Sequence, residues 1–358
     1  MIVGFRCDAN PKIGLGHFVR CLSIAAEVKK LGERRLENIE IVFLTKENTI
    51  HLEMIKQRGL KTIFRTINSE EEFLLQATPQ LDVLLIDRNY NYSVDIIKQI
   101  QNNTPVVMLH NICEGSFESN VTILPAAHID DKILANDRWN QDFRKMLYGP
   151  EYIVLNQDVF ALQRRKIPNK IPVIYVVTGG SDPKGITFKL MSWFKAYSPP
   201  LPFSVVFLVG SAFLLTEALD REKRNIPQHI EIRPFDIKEL EQADLAISSF
   251  SISTYELMYL GIPTLCIGHA SSNAAGSKIL STRYQSTVDL GLIDTLEKEF
   301  FFSKLEPFIK DVNKRESLGK KGKSLISGNG ASKISDILVE QIVKADLCGN
   351  TKGGPPME

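Results

Sequence analysis

Ile2-Val3-Gly4-Phe5-Arg6-Cys7-Asp8-Ala9-Asn10, followed by Ile13-Gly14-Leu15-Gly16-His17 and Arg20-Cys21-Leu22, reads as a buried strand, a glycine-rich turn and a helix carrying Leu22, Ile24, Ala25 and Val28. Gly14 and Gly16 let the backbone turn sharply and approach a ligand closely. His17 then stands where the loop enters the helix, near free N–H groups that favour an anion. An imidazole at the mouth of a strand-loop-helix unit is a candidate general base. The same spacing also suits a plain turn whose histidine caps or packs. Asp8, at the end of the strand, is placed either to orient that imidazole or to cap the loop.

The pattern repeats along the first half. Strands are expected at Ile2–Arg6, Ile39–Thr45, Lys61–Phe64, Val83–Ile86, Pro105–His110 and Val121–Leu124, with helices between them such as Arg20–Leu31, Ile50–Gln57 and Val94–Gln101. Short apolar strands alternating with amphipathic helices indicate a parallel sheet covered on both faces. Asp87 follows Val83-Leu84-Leu85-Ile86 directly and so lies at a carboxyl strand end, where open α/β sheets bind ligands. A carboxylate there also serves as a helix cap. Residues 125–158 are less regular. The proline-punctuated basic stretch Gln163–Pro172 reads as an interdomain linker.

A length of 358 residues suggests two domains, here 1–162 and 163–347, with a disordered tail expected at 348–358. Apolar content of 44%, charged content of 24% and a net charge of +1 describe an ordinary globular chain with no electrostatic case for nucleic-acid binding. No apolar run approaches the ~20 residues of a membrane span. With no signal-peptide pattern at the start, a cytoplasmic location is expected. The five cysteines and six histidines show no metal-type spacing, so reduced thiols, no metal site and no cofactor are expected.

The second half opens with a strand, Val173–Val177, the turn Thr178-Gly179-Gly180-Ser181-Asp182-Pro183 and a helix, Thr187–Tyr197. Two glycines and a serine between strand and helix suit a phosphate-cradling turn. This is neither a P-loop nor a dinucleotide fingerprint. Further strands are expected at Phe203–Val209, Ile230–Arg233, Leu245–Ile247 and Thr264–Ile267. Ala243–Ile247 runs into the serine-rich turn Ser248-Ser249-Phe250-Ser251 and a helix with Thr254, Tyr255 and Glu256, ended by Gly261-Ile262-Pro263. Glu256 is expected in that helix's first turn, where a carboxylate is stabilised and could accept two ribose hydroxyls, or simply complement the dipole.

These motifs together resemble the UDP-sugar hydrolases of the pseudaminic acid pathway. Arg6, Cys7, Asp8, Ala9, Ile13, Gly14, Gly16, His17, Arg20, Cys21 and Leu22 match the family's opening pattern. Tyr148-Gly149-Pro150-Glu151-Tyr152, Gly179-Gly180-Ser181-Asp182-Pro183 and Thr254-Tyr255-Glu256 through Pro263 resemble its later ones, in order along nearly the whole chain. The resemblance implies a GT-B-like α/β fold of two Rossmann-like domains whose parallel sheets face a central cleft. It implies hydrolysis of a UDP-linked 2,4-diacetamido-2,4,6-trideoxy sugar, with His17 polarising water and no divalent metal. The nucleotide would lie on Gly179, Gly180, Ser181, Thr254 and Glu256, and the sugar on Gly14, Gly16, Arg20, Tyr90, Ser272 and Asn273.

The chain also departs from that family. Phe250-Ser251 replaces a glycine pair, and Asn273 stands at a glutamine position after Ser272. A tyrosine that follows the strand-ending aspartate is displaced to Tyr90, and His110-Asn111 replaces two aspartates. The nucleotide half and His17 are thus better kept than the sugar half. A hydrolase is the leading expectation. A transferase of the same fold, which needs an acceptor groove in the N-terminal domain, and a sugar-nucleotide-binding protein without turnover are the alternatives.

Overall fold

The computed structural model describes residues 1–8, 16–45, 49–64, 69–139, 145–163, 169–197, 202–210, 213, 216–224 and 226–347. Gly14 and the expected tail 348–358 lie outside the described residues. The chain divides into two compact units, Met1–Val154 with Asn329–Glu358, and Leu155–Gly328.

Unit one contains β1 (Ile2–Arg6), α1 (Gly16–Arg35), β2 (Glu40–Thr45), α2 (Thr49–Gln57), β3 (Lys61–Phe64), α3 (Glu70–Ala77), β4 (Val83–Ile86), α4 (Val94–Gln101), β5 (Val106–Leu109), β6 (Val121–Leu124), α5 (Asp131–Leu134) and β7 (Lys145–Tyr148). Its sheet has the order β3-β2-β1-β4-β5-β6-β7, with every described pair parallel. Alternate strand residues point to opposite faces. Val83, Leu85, Val107 and Leu109 join Val3, Phe5 and α1 in one core. Leu84, Ile86, Val106 and Met108 join α3 and α4 in the other. β7 lies within the stretch that the sequence left irregular. It is a four-residue edge strand in which only Met146 is buried, too short to set a period of its own.

Unit two contains β8 (Val173–Val177), α6 (Ile186–Lys195), β9 (Ser204–Val209), α7 (Thr216–Lys223), β10 (Ile230–Pro234), β11 (Leu245–Ser249), α8 (Ile252–Tyr259), β12 (Thr264–Gly268), α9 (Ser271–Arg283), β13 (Val288–Leu292), α10 (Lys298–Lys310) and α11 (Val312–Leu325). Its sheet order is β10-β9-β8-β11-β12-β13, again parallel. In both sheets the order reverses beside the first strand, between β1 and β4 and between β8 and β11. Ligands of doubly wound sheets bind at the carboxyl end of such a reversal.

The division differs from the expected boundaries, because α12 (Gly330–Leu347) packs in unit one. Ala331, Ile334, Leu338 and Ile342 form one apolar stripe and pack into the core shared with β1 and α1. Gly330 lies so close to the Ile153 carbonyl that a Cβ would stand 2.2 Å from its oxygen. The chain therefore passes between units at Val154–Leu155 and Gly328–Asn329, not within the basic stretch Gln163–Pro172.

This assignment has a measurable consequence. Leu338 is fully buried, whereas Val343 on the same helix is 47% exposed. Leu338→Ala should cost about 2–5 kcal/mol in urea unfolding, the range for buried leucine truncations, and Val343→Ala well under 1 kcal/mol. Equal effects would place α12 off the unit-one core.

Candidate functional site

The carboxyl edge of unit one is organised by charge. Arg6, at the end of β1, is fully buried. Its Nε and Nη2 donate to Glu70 at 2.7 and 2.8 Å, and its Nη1 and Nη2 donate to Asp8 at 2.7 and 2.9 Å. Arg6 Nη1 also donates to the Leu44 carbonyl at the end of β2, at 3.0 Å. Arg88, just past β4, pairs with Glu70 and lies 3.4 Å from Asp8. Tyr92 donates its hydroxyl to Glu70 at 3.0 Å. Burial alone would raise the Glu70 carboxyl, but the hydrogen bonds and charges of Arg6 and Arg88 bring it down to about 2. Asp8 is thus committed to Arg6, which corrects the expectation that it orients the imidazole of His17.

Asp87 holds His17 instead. It lies at the carboxyl end of β4, fully buried, with Oδ1 at 2.7 Å from His17 Nδ1. Arg20, one turn along α1, donates Nε to Oδ2 at 2.6 Å and Nη2 to Oδ1 at 2.7 Å. Burial would raise the Asp87 carboxyl, but Arg20 and the hydrogen bond from His17 bring it down to about 2. The cap reading of Asp87 fails, since Ser93 caps α4 by accepting from the Ile96 N–H. Arg20, expected at the sugar, is bidentate on Asp87 and only 13% exposed at its side chain. The His17 side chain keeps 23% of its surface open. Gly16, at the first position of α1, has no atom of the described residues within 4 Å of where a Cβ would stand.

Neighbouring strand ends add two histidines. His110 follows β5 with a left-handed backbone, φ 56°, which strains a residue with a Cβ. Desolvation, then the Arg20 charge, lowers its imidazole from the ordinary value, although the residue as a whole is exposed. Burial lowers His128 to about 4. Asn111 donates to the carbonyls of Arg88 and Tyr90 at 2.9 and 2.8 Å, pinning the loop after β4. Tyr90 is half-buried, with the Arg88 guanidinium 5.3 Å from its ring centre. The composition of the chain hides both this loop and the Asp87 pairing. The signal available was two strand-ending carboxylates beside one helix carrying His17 and Arg20 at i and i+3.

In unit two the turn after β8 holds Gly179 at φ 83°, a left-handed conformation open to glycine. Gly210, after β9, meets this turn so closely that a Cβ would stand 2.5 Å from the Gly180 Cα. Gly180 itself faces open space. Asp182 accepts from the N–H groups of Ile186 and Thr187 at 2.9 and 2.8 Å, so the start of α6 is already occupied by a carboxylate. On the turn before it Gly180 is exposed and Ser181 half-buried.

Glu256 is five residues past the Ser251 cap of α8, in the second turn and not the first. It is 6% exposed. Among the described residues it accepts one hydrogen bond, from the Asn156 N–H at 3.4 Å. Burial, opposed by that bond, pushes its carboxyl up to about 7. Thr254 is fully buried, accepts from the Ser251 N–H at 3.3 Å and sits 3.3 Å from Ser248 Oγ, so it braces the turn from within. Asn273 donates to the Phe250 carbonyl at 3.1 Å, tying α9 to the same turn, and Ser272 is exposed. Among the described residues no three His, Cys, Asp or Glu side chains are grouped to hold a metal ion, and no helix is long and apolar enough to cross a membrane. Cys7, Cys21, Cys113 and Cys266 are free and buried.

Two parallel sheets of this order, each with its polar residues at the reversal, define a GT-B-like protein. MurG of Acinetobacter baumannii superposes with a TM-score of 0.65 at 13% identity, covering 95% of this chain and 99% of that one. The calicheamicin glycosyltransferase CalG4 gives 0.61 at 14% identity over 96% and 98%. The UDP-GlcNAc 2-epimerase of Neisseria meningitidis, bound to UDP-GlcNAc, gives 0.59 at 11% identity over 95% and 100%. In sequence the chain is similar to the spore coat polysaccharide biosynthesis protein SpsG of Bacillus subtilis, 25% identical over 346 residues, covering 94% of this chain and 98% of that protein. An uncharacterized protein of Methanocaldococcus jannaschii is 24% identical over 280 residues, and the match covers 75% of this chain and 55% of that protein. No family model matches the chain.

The Glu256 carboxyl sets a pH test. Its folded value of about 7 exceeds the ordinary 4.5, so the unfolded chain ionises first and folding bears a penalty that grows above pH 4.5 and is complete above about 7. Glu256→Gln should therefore be more stable than the parent at pH 8, by on the order of 3 kcal/mol, and gain little at pH 4. Urea unfolding of both proteins at the two pH values checks this.

Proposed function

We propose that this chain binds a UDP-linked amino-deoxy sugar and releases UDP by hydrolysis, in the synthesis of a surface polysaccharide or a related acidic sugar. The observation that carries the reading is His17, a partly open imidazole held by a buried carboxylate at the sheet reversal of unit one. The similarity to SpsG supports the polysaccharide context, and the fold is shared with an epimerase that binds UDP-GlcNAc. In this reading the backbone of Gly179, Gly180 and Ser181 receives the pyrophosphate and Glu256 the ribose hydroxyls. Glu256 supports this with a buried carboxyl that accepts one hydrogen bond among the described residues. His17 takes a proton from water as the water oxygen bonds to the anomeric carbon. The bond from that carbon to the diphosphate breaks, and UDP leaves with the bonding pair. Backbone N–H groups meet its developing charge.

A second reading, transfer of the sugar to an acceptor, is favoured by two apolar side chains at the same edge of unit one. Ile112, after β5, is 44% exposed, and Tyr148, ending β7, is 49% exposed. Incubation with a panel of UDP-amino sugars and detection of UDP separates the two. Hydrolysis releases UDP without any acceptor, with EDTA present. Transfer releases it only when an acceptor is supplied. If no UDP appears under either condition while UDP-sugars still bind, the chain is a binding protein.

Two variants divide the chemistry from the binding. His17→Asn should cut the turnover rate by about 10²–10⁴, the usual contribution of a general base, with UDP affinity nearly unchanged. Glu256→Ala should weaken UDP binding about tenfold or more, since a hydrogen bond to a charged group contributes about 1.5–3 kcal/mol. Calorimetry with UDP and a UDP-release assay on both variants read the split, and full turnover in His17→Asn ends the base assignment.

A further inference from the structure

We infer that Asp87 is the positioning residue for His17, fixing the imidazole in the tautomer that leaves Nε2 free to take a proton, while Arg20 keeps that carboxylate charged. The inference rests on the reading of His17 as the base.

The geometry decides the tautomer. His17 Nδ1 and Arg20 Nη2 both reach the same oxygen, Asp87 Oδ1, at 2.7 Å each, and lie 3.1 Å from one another. A bare nitrogen lone pair facing a carboxylate oxygen at that distance would be repelled. Nδ1 therefore carries the hydrogen and donates it, and Nε2 carries the lone pair. Arg20 satisfies both carboxylate oxygens in a forked contact, so the buried charge of Asp87 is neutralised without consuming the imidazole. When Nε2 takes a proton, the new imidazolium is met by Asp87, which stays ionised throughout. A carboxylate that orients a histidine base in this way does not itself change protonation.

Removing Asp87 leaves Arg20 Nη2 as the group beside Nδ1. Its N–H then donates to Nδ1, the hydrogen moves to Nε2, and the imidazole presents a donor where the base is needed. The mutation also strands a buried guanidinium, so a lost fold could mimic lost positioning. The double variant Asp87→Ala/Arg20→Leu removes both charges and separates the two effects.

The experiment reads the His17 ring directly by 15N NMR of histidine-labelled protein without ligand, the resonance being identified by its loss in His17→Asn. In the parent the spectrum should show hydrogen on Nδ1. In Asp87→Ala it should move to Nε2, and kcat should fall about 10²-fold or more with KM little changed. The double variant should regain the parent's unfolding midpoint without regaining either kcat or the Nδ1–H signal. Retention of Nδ1–H in Asp87→Ala, or recovery of kcat in the double variant, overturns the inference. A parent that shows the tautomer and its Asp87 dependence but releases no UDP from any sugar sinks the hydrolase reading and leaves the positioning intact.

Discussion

Arg6 is the constraint on which the edge of unit one depends. A guanidinium at the end of a central strand, with no exposed surface, is costly to bury unless every donor finds an acceptor. Here two carboxylates and a strand-end carbonyl supply them: Asp8 from its own loop, Glu70 from α3 and Leu44 from β2. Glu70 then draws in Arg88 and Tyr92 from the segment after β4. One buried charge thus ties together the exits of β1, β2 and β4 and the start of α3. Asp87 is next to Arg88 in sequence, so the placement of the His17 partner follows from the same network.

Asp87 and Glu256, a buried carboxylate in each unit, are treated in opposite ways. Asp87 is enclosed with a forked arginine and stays ionised, with its carboxyl brought down to about 2. Glu256 is enclosed with one long backbone contact among the described residues, and its carboxyl rises to about 7. The first arrangement suits a fixed electrostatic support, already satisfied. The second leaves a polar group whose lost solvation is, among the described residues, only partly replaced. The Gly179–Gly180 turn completes the contrast. Its neighbour Asp182 fills the start of α6, so that helix end is satisfied from within its own chain.

Most of the fold was legible along the chain. Short continuous apolar runs such as Val83–Ile86, set between amphipathic helices and turn residues, mark the strands, because local patterning and short-range turn chemistry carry that information. The less legible parts depended on distant partners. β7 is a short edge strand that exists by pairing with β6. α12 reads as the last helix of the second half, yet its apolar stripe fits the core of unit one beside α1, a helix from near the other end of the sequence.

By itself the sequence determined the alternation of strands and helices, the two glycine turns, and His17 and Glu256 as the residues whose chemistry stands out. Those follow from residue type and spacing within a few turns of chain. Tertiary structure decided the pairings. Asp8 and Asp87 are both strand-ending carboxylates near a histidine, and nothing in their local sequence ranks one above the other. Arg6, buried and needing two anions, claims Asp8; Arg20, one helical turn beyond His17, brings Asp87 to the imidazole. Which charge meets which is settled by the competition of buried donors for acceptors, and that competition exists only once the strands lie side by side.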